Sequence, residues 1–187
     1  LWLDDCFVKI EIETKLKVES LDIVAARLDE LGAEFQADVI ERDTYFDDAD
    51  GTLLKSDRGL RLRCQKGPDS EKLILAYKGP RQKSALKARQ EIEVEVADFT
   101  AAGRLLSELG YKQQIVFEKK RRLYRFGGCQ VCLDELDLLG SFVEVEGPDE
   151  AAIANVLEKI NLSHLPHIAD SYAALMSEKL NEPKKEL

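Results

Sequence analysis

The sequence predicts an α+β fold in which strands with one charged face are interleaved with short amphipathic helices. Three observations predict it. Apolar and charged residues alternate at period two in several segments, each segment long enough for a strand. Helical spacing follows three of those segments, with a glycine stop at two of them, Gly32 and Gly110. Turn-forming residues join the remaining segments into hairpins, as at Pro68-Asp69-Ser70 and Gly127-Gly128.

The elements follow in order. From Val8 to Val18, Val8, Ile10, Ile12, Leu16 and Val18 share one face, interrupted only by Thr14. Lys9, Glu11, Glu13, Lys15 and Lys17 share the other, so this strand has one apolar and one fully charged side. Ser20 is placed to cap a helix carrying Leu21, Val24, Ala25, Leu28 and Leu31, with Gly32 as its stop. Residues 39–46 read as a strand. The Asp47–Gly51 stretch reads as a turn and not as a calcium loop, because Phe46 and the spacing of the acids fail that pattern. Segments 59–66 and 72–78 form a hairpin, and Gly79-Pro80 opens a basic loop through Lys87. Segment 89–96 alternates Ile92, Val94 and Val96 against Arg89, Glu91, Glu93 and Glu95. A helix from about Phe99 to Leu109 follows and stops at Gly110.

Leu28-x-x-Leu31-Gly32 matches Leu106-x-x-Leu109-Gly110, so the second strand–helix unit echoes the first. A third unit runs from Phe142-Val143-Glu144-Val145-Glu146 into a helix ending near Ile160. Between them, 115–126 and 129–138 read as paired strands. Asp170–Leu180 is a short amphipathic helix, and 181–187 is a polar tail outside a single domain spanning 1–180.

The chain has 187 residues, 44% of them hydrophobic, enough for one domain with a sizeable core. Its formal charge of −9 argues against non-specific binding to nucleic acid or to anionic membrane. No apolar run approaches the ~18 residues of a membrane span. Asp4 and Asp5 break the N-terminal stretch, which does not suit a secretory signal, and a start at Leu1 implies a lost initiator Met. Cys6, Cys64, Cys129 and Cys132 are expected as free thiols in a reducing cytoplasm. Cys129-x-x-Cys132 has no second half, and its thiols fall on opposite strand faces, so it is no zinc site. His164 and His167 flank Pro166, which removes any helical ligand spacing. No glycine-rich phosphate loop or serine nucleophile elbow is present.

The functional signal is the sorting of charge by sign. Glu11 and Glu13, Glu91, Glu93 and Glu95, and Glu144 and Glu146 form acidic stripes. Arg61 and Arg63, Lys78, and Lys119 and Arg121 form basic ones. Carboxylates at i and i+2 repel unless a cation lies between them, and hard divalent cations prefer such oxygens. Clustered Arg and Lys call for an anion, and the guanidinium fork suits phosphate. Together they imply a polyphosphate held between basic residues and metal.

Glu11-Ile12-Glu13-Thr14-Lys15 resembles the ExExK motif of the CYTH superfamily, the triphosphate tunnel metalloenzymes. The likeness continues in order through Asp43-Thr44-Tyr45-Phe46, Arg61-Leu62-Arg63, Tyr77-Lys78-Gly79-Pro80, Arg89-Gln90-Glu91-Ile92-Glu93 and Lys119-Lys120-Arg121. It ends with Leu133-Asp134, the segment from Leu139 to Glu146, and Ser171-Tyr172, covering roughly 8–176. The resemblance implies a closed antiparallel β-barrel of about eight strands, helices packed outside, and a charged tunnel. It implies Glu11, Glu13, Asp134, Glu144 and Glu146 as ligands of Mg²⁺ or Mn²⁺, at two sites. It implies Lys15, Arg61, Arg63, Lys78, Arg89, Lys119 and Arg121 as triphosphate contacts, with Glu91 and Glu93 in the catalytic role. Lys120 and Arg122 should point outward unless a bulge swaps the faces. The class IV adenylate cyclase group is the most similar branch, implying ATP converted to cyclic AMP and pyrophosphate. Hydrolysis of inorganic or thiamine triphosphate is the alternative, and a non-catalytic polyphosphate-binding module is the alternative of another class. The partner is then a triphosphate-containing small molecule, with a homodimer left open.

Overall fold

The computed structural model describes residues 9–181. Cys6, the N-terminal residues weighed as a signal, and the tail beyond Asn181 lie outside them. Eight strands run β1 (Lys9–Val18), β2 (Glu34–Asp47), β3 (Gly59–Lys66), β4 (Glu71–Arg81), β5 (Lys87–Glu95), β6 (Lys112–Phe126), β7 (Cys129–Leu136) and β8 (Gly140–Gly147). Five helices accompany them: α1 (Leu21–Glu30), α2 (Thr52–Lys55), α3 (Phe99–Glu108), α4 (Glu150–Lys159) and α5 (Tyr172–Asn181). The strands close into an antiparallel barrel in the order β1-β5-β4-β3-β2-β6-β7-β8, with β8 returning to β1. The expected α+β barrel is therefore the fold.

Closure explains how one chain tolerates so many charged strand faces. Period two sends one set of side chains into the barrel and the other onto its outer wall. Most of the apolar core consequently lies outside the barrel, under α1, α3 and α4, whereas the cluster under α5 falls on the inward face at one end of the barrel. Leu16, Val131, Leu133, Val143 and Val145 pack against Val24 and Leu28 of α1 and against Ile153 and Val156 of α4. Leu106 of α3 covers Leu62 and Phe46. Tyr172 and Met176 of α5 pack on Phe117, Leu136 and Phe142.

The strand–helix unit recurs three times, as its echo in the sequence predicts. α1, α3 and α4 follow β1, β5 and β8, and each ends at a left-handed residue. Gly32 (φ 72°) and Gly110 (φ 93°) serve the first two, and Asn161 (φ 60°) the third. Asp98 and Asp149 cap α3 and α4 by accepting from Ala101 N (2.9 Å) and Ala152 N (2.8 Å). Ser20 occupies the N-cap of α1 but makes no side-chain cap bond. β2 begins five residues earlier than the 39–46 reading, at Glu34. After the expected turn, Asp47 accepts from Leu53 N and Leu54 N and so starts the short α2 that the sequence reading lacks.

The register shifts of β2 against β6 fall at Phe35/Ala37 and Tyr45/Phe46, outside the Lys119–Arg122 stretch. Alternation there is intact. Lys120 pairs with Glu135 and Arg122 with Asp38 on the outer wall, as expected. Cys64, Cys129 and Cys132 are free thiols. No helix among the described residues is long and apolar enough to cross a membrane.

Candidate functional site: a charged tunnel through the barrel

The barrel encloses a cavity of about 1140 Å³. Every strand contributes charged or polar side chains to it. Of the expected site residues, Glu11, Glu13, Lys15, Arg61, Arg63, Lys78, Arg89, Glu91, Glu93, Lys119, Arg121, Glu144 and Glu146 all line this one space. Asp134 does not. It is wholly buried on the inward face of β7, beneath Arg121 and Tyr172, where it holds Arg121.

Strand register sets the ion pairs. Glu41 faces Lys119, Asp43 faces Arg63, Arg121 faces Asp134, Lys15 faces Glu144, Glu13 faces Lys87, and Lys78 faces Glu91. Each opposed couple is within ion-pair reach, so the barrel wall neutralises itself strand by strand.

Two regions differ in how completely this happens. In the wall of β2, β3, β6, β7 and β8, Arg63 donates to both Asp43 oxygens at 2.6 and 2.7 Å, and its Nη1 lies 2.9 Å from Glu41. Lys119 Nζ lies 2.8 Å from the same Glu41 oxygen. Arg121 Nε donates to Asp134 at 2.6 Å, and its Nη2 pairs with Asp134 and Glu144. Burial alone would raise Glu41, but Lys119, Arg121 and Arg63 hold its carboxyl down at about 2. Asp43 is depressed further, against its burial, chiefly by Arg63. Burial opposes the charge on Glu144 as well, yet Lys15, Arg121 and Lys119 keep it well below the usual carboxylate range.

The wall of β1, β3, β4 and β5 is less complete. Lys78 Nζ donates to both Glu11 oxygens at 2.7 and 2.9 Å and lies 3.0 Å from Glu91. Burial, and then the Glu13 charge, push Glu11 above its ordinary value despite Lys78. Burial and Glu144 push Glu13 the same way, but Lys87, Lys78 and Lys15 outweigh them and keep it low. Arg61 Nη2 donates to Glu93 at 3.1 Å, and Arg89 Nη2 reaches Asp57 at 3.4 Å. The Nε atoms of both arginines are buried and meet no acceptor.

Glu13 and Glu146 stand directly opposite each other on paired strands, with Glu11 and Glu144 two residues away on either strand. Like charges so opposed call for a cation between them, and their oxygens suit a hard one. Lysines answer that call here: Lys87 holds Glu13, Lys9 holds Glu146, Lys78 holds Glu11 and Lys15 holds Glu144. Among the described residues no three acid, imidazole or thiol groups already converge on one point. The donor chemistry therefore fits a divalent cation that takes the place of ammonium groups.

Sequence reasoning passed over Glu41, Lys87, Asp57 and Tyr172 as members of the site. Glu41 and Lys87 were available from alternation, since each continues the inward face of Asp43 and Arg89. Tyr172 and Asp57 sit on a helix start and a loop, where no strand period marks the inward side. His167 Nδ1 contacts Thr14 Oγ1.

The CYTH domain family matches residues 9–172, and the chain belongs to that family. A Methanocaldococcus jannaschii protein named "Putative adenylate cyclase MJ0240" is 30% identical over 150 residues, covering 80% of this chain and 81% of the relative. Adenylate cyclase CyaB of Aeromonas hydrophila is 28% identical over 155 residues, covering 81% of this chain and 77% of its own. The PH1819 protein of Pyrococcus horikoshii OT3 superposes with a TM-score of 0.77 at 30% identity, over 90% of this chain and 99% of its own. HpAC1 of Hippeastrum, described as having a dominant triphosphatase activity, shares the fold with a TM-score of 0.66 at 20% identity, over 90% of this chain and 95% of its own.

Proposed function

We propose that the chain is a divalent-metal-dependent enzyme that converts ATP to cyclic AMP and pyrophosphate inside the tunnel. The observation that carries the triphosphate reading is the pair of buried, unpartnered guanidinium donors, Arg61 Nε and Arg89 Nε. Leaving a buried donor unmade costs about 1–3 kcal/mol, more when it is charged. An anionic oxygen placed between β3 and β5 removes that cost. Lys15, Arg63, Lys78, Lys119 and Arg121 line the same space and supply the charge to neutralise a triphosphate of about −4.

Glu11, Glu13, Glu144 and Glu146 would hold Mg²⁺ or Mn²⁺, freeing Lys78, Lys87 and Lys15 to turn toward phosphate. The cation would polarise phosphate oxygens and neutralise their charge. In the cyclase reaction the ribose 3′-oxygen bonds to the α-phosphorus, the bond from that phosphorus to the bridging oxygen breaks, and pyrophosphate leaves. Glu91 and Glu93, on the face opposite Arg61, are the carboxylates in reach to accept the hydroxyl proton. The rest of catalysis is orientation and charge neutralisation by the arginine and lysine set. Tyr45, Leu53, Leu54 and Ile115 line one end of the cavity and offer an uncharged organic group a less polar surface. That surface, with the names of the two curated relatives, favours ATP.

A second reading, hydrolysis of inorganic or thiamine triphosphate by water attacking the γ-phosphorus, is favoured by the triphosphatase activity described for HpAC1 on the same fold. The test is a product assay on the purified chain with Mg²⁺ or Mn²⁺, offering ATP, inorganic triphosphate and thiamine triphosphate separately. Cyclic AMP with pyrophosphate from ATP is expected. Orthophosphate from the other two establishes the second reading, and tight binding without product leaves a polyphosphate-binding module.

A further inference from the structure

Tyr172 opens α5, which lines one end of the cavity, and its side chain reaches the charged interior. Its ring is buried, packed edge-on to Phe142 with centroids 5.3 Å apart. Its hydroxyl donates to Asp134 Oδ2 at 2.8 Å, and Asp134 in turn receives Arg121 Nε at 2.6 Å. The ammonium of Lys15 lies 3.9 Å from the centre of the same ring. Lys15 Nζ also donates to Asp170 O at 2.8 Å, two residues before the tyrosine. Behind them, Ile168 N donates to Lys15 O at 2.8 Å, which ties the approach to α5 directly to β1.

The ring thus meets two tunnel ammoniums, Lys15 and, at 5.1 Å from its centre, Lys119, and the hydroxyl reaches Arg121 through Asp134. An arginine with a free side chain samples several rotamers, and immobilising it on binding costs conformational entropy. The carboxylate behind Arg121 fixes its plane, and the phenol fixes the carboxylate. The aromatic face does the same for Lys15. Burial, and then the charges of Glu144 and Asp134, push the phenol well above its usual range, so the hydroxyl stays a donor.

We infer that Tyr172, acting through Asp134, is a positioning residue that pre-sets Arg121 and Lys15 for polyphosphate binding. The inference rests on the triphosphate reading of the tunnel. It gives Asp134 a role beneath the cavity surface, where it orients the arginine that faces the ligand.

Inorganic tripolyphosphate is the probe, and its affinity for the full chain is read by titration calorimetry. Tyr172→Phe keeps the ring over Lys15 and removes only the hydroxyl. A loss of affinity of about 2- to 12-fold is expected, the size of one net hydrogen bond. Asp134→Asn keeps the volume and removes the charge, and a loss at least as large is expected. Because the two act in series on Arg121, the double variant should lose little more than Asp134→Asn alone. Unchanged affinity in folded Tyr172→Phe, with only a lower melting temperature, would make the tyrosine a structural residue and overturn the inference. Additive losses would overturn it too. If Tyr172→Phe fails to fold, equal affinities of wild type and Asp134→Asn overturn it on their own. Wild type that does not bind tripolyphosphate would sink the tunnel reading itself, an outcome distinct from all of these.

Discussion

Replacing Arg63 by methionine keeps the length and apolar stem of the side chain and removes the guanidinium. Arg63 has its side chain 9% exposed, and its two partners, Asp43 and Glu41, are at 2% and 3%. Removing one member of a buried ion pair costs about 3–5 kcal/mol, because the charge left behind is uncompensated. Lys119 remains 2.8 Å from Glu41 and 3.9 Å from Asp43, which places the expected loss near the lower end, about 3 kcal/mol at pH 7. The pH dependence separates this cause from simple loss of packing. Glu41 is held at about 2 in the folded chain, against an ordinary 4.5, and Asp43 is also depressed. A depressed carboxyl contributes stability above its unfolded pKa and loses it as pH falls toward the folded value. Wild type therefore forfeits this contribution as pH falls from 4.5 toward about 2, while Arg63→Met lacks the share that Arg63 supplies and keeps the share that Lys119 and Arg121 supply. Urea unfolding of both proteins at pH 7 and pH 3 should show a smaller gap at pH 3. A gap that is the same at both pH values, or one below about 1 kcal/mol at pH 7, refutes the reasoning.

Three further outcomes are expected. Glu13→Gln should abolish metal-dependent turnover while its circular dichroism matches wild type, and full activity at saturating Mg²⁺ would remove Glu13 from the metal set. Gly147→Ala should lower stability by about 1–3 kcal/mol, because a Cβ there would lie 2.8 Å from Cys129 Sγ and 2.9 Å from Ile153 Cγ1, both in the packed core; an unchanged melting temperature would mean that this corner of the core is loose. Cys132 lines the tunnel but is buried, and desolvation pushes its thiol up to about 12 against the pull of Arg121; iodoacetamide at pH 8 should leave it unmodified in the native chain, as mass spectrometry of its peptide would report.

The barrel was legible in the sequence because its strands carry contrast. Glu11 against Ile12, or Arg61 against Leu62, tells inside from outside without any structure. The same rule placed Lys120 and Arg122 on the outer wall. Glu41 was missed because Ile40 and Arg42 beside it are both outward and of opposite character, which erases the contrast. α2 was missed because four residues carry no periodic signal, and its start depends on a side-chain carboxylate, Asp47. The role of Asp134 was legible only in kind, since a strand carboxylate can either bind metal or pair with a neighbouring arginine. Alternation assigns it to the inward face, but only the cross-strand register, which sets it opposite Arg121, shows it behind an arginine.

The seam between β1 and β8 sets an order of events in the life of the chain. β1 carries the first residues of the tunnel, yet more of its cross-strand partners lie in β8, the last strand, than in β5. During synthesis β1 must wait until β8 has been made before its second edge is covered. Until then an alternating strand with an apolar face stands open, able to pair with the wrong neighbour. Such distant pairing slows folding, because loop closure precedes its reward. The opposed Glu13 and Glu146 lie on that same seam, so the last step that completes the wall is also the one that brings these two carboxylates together.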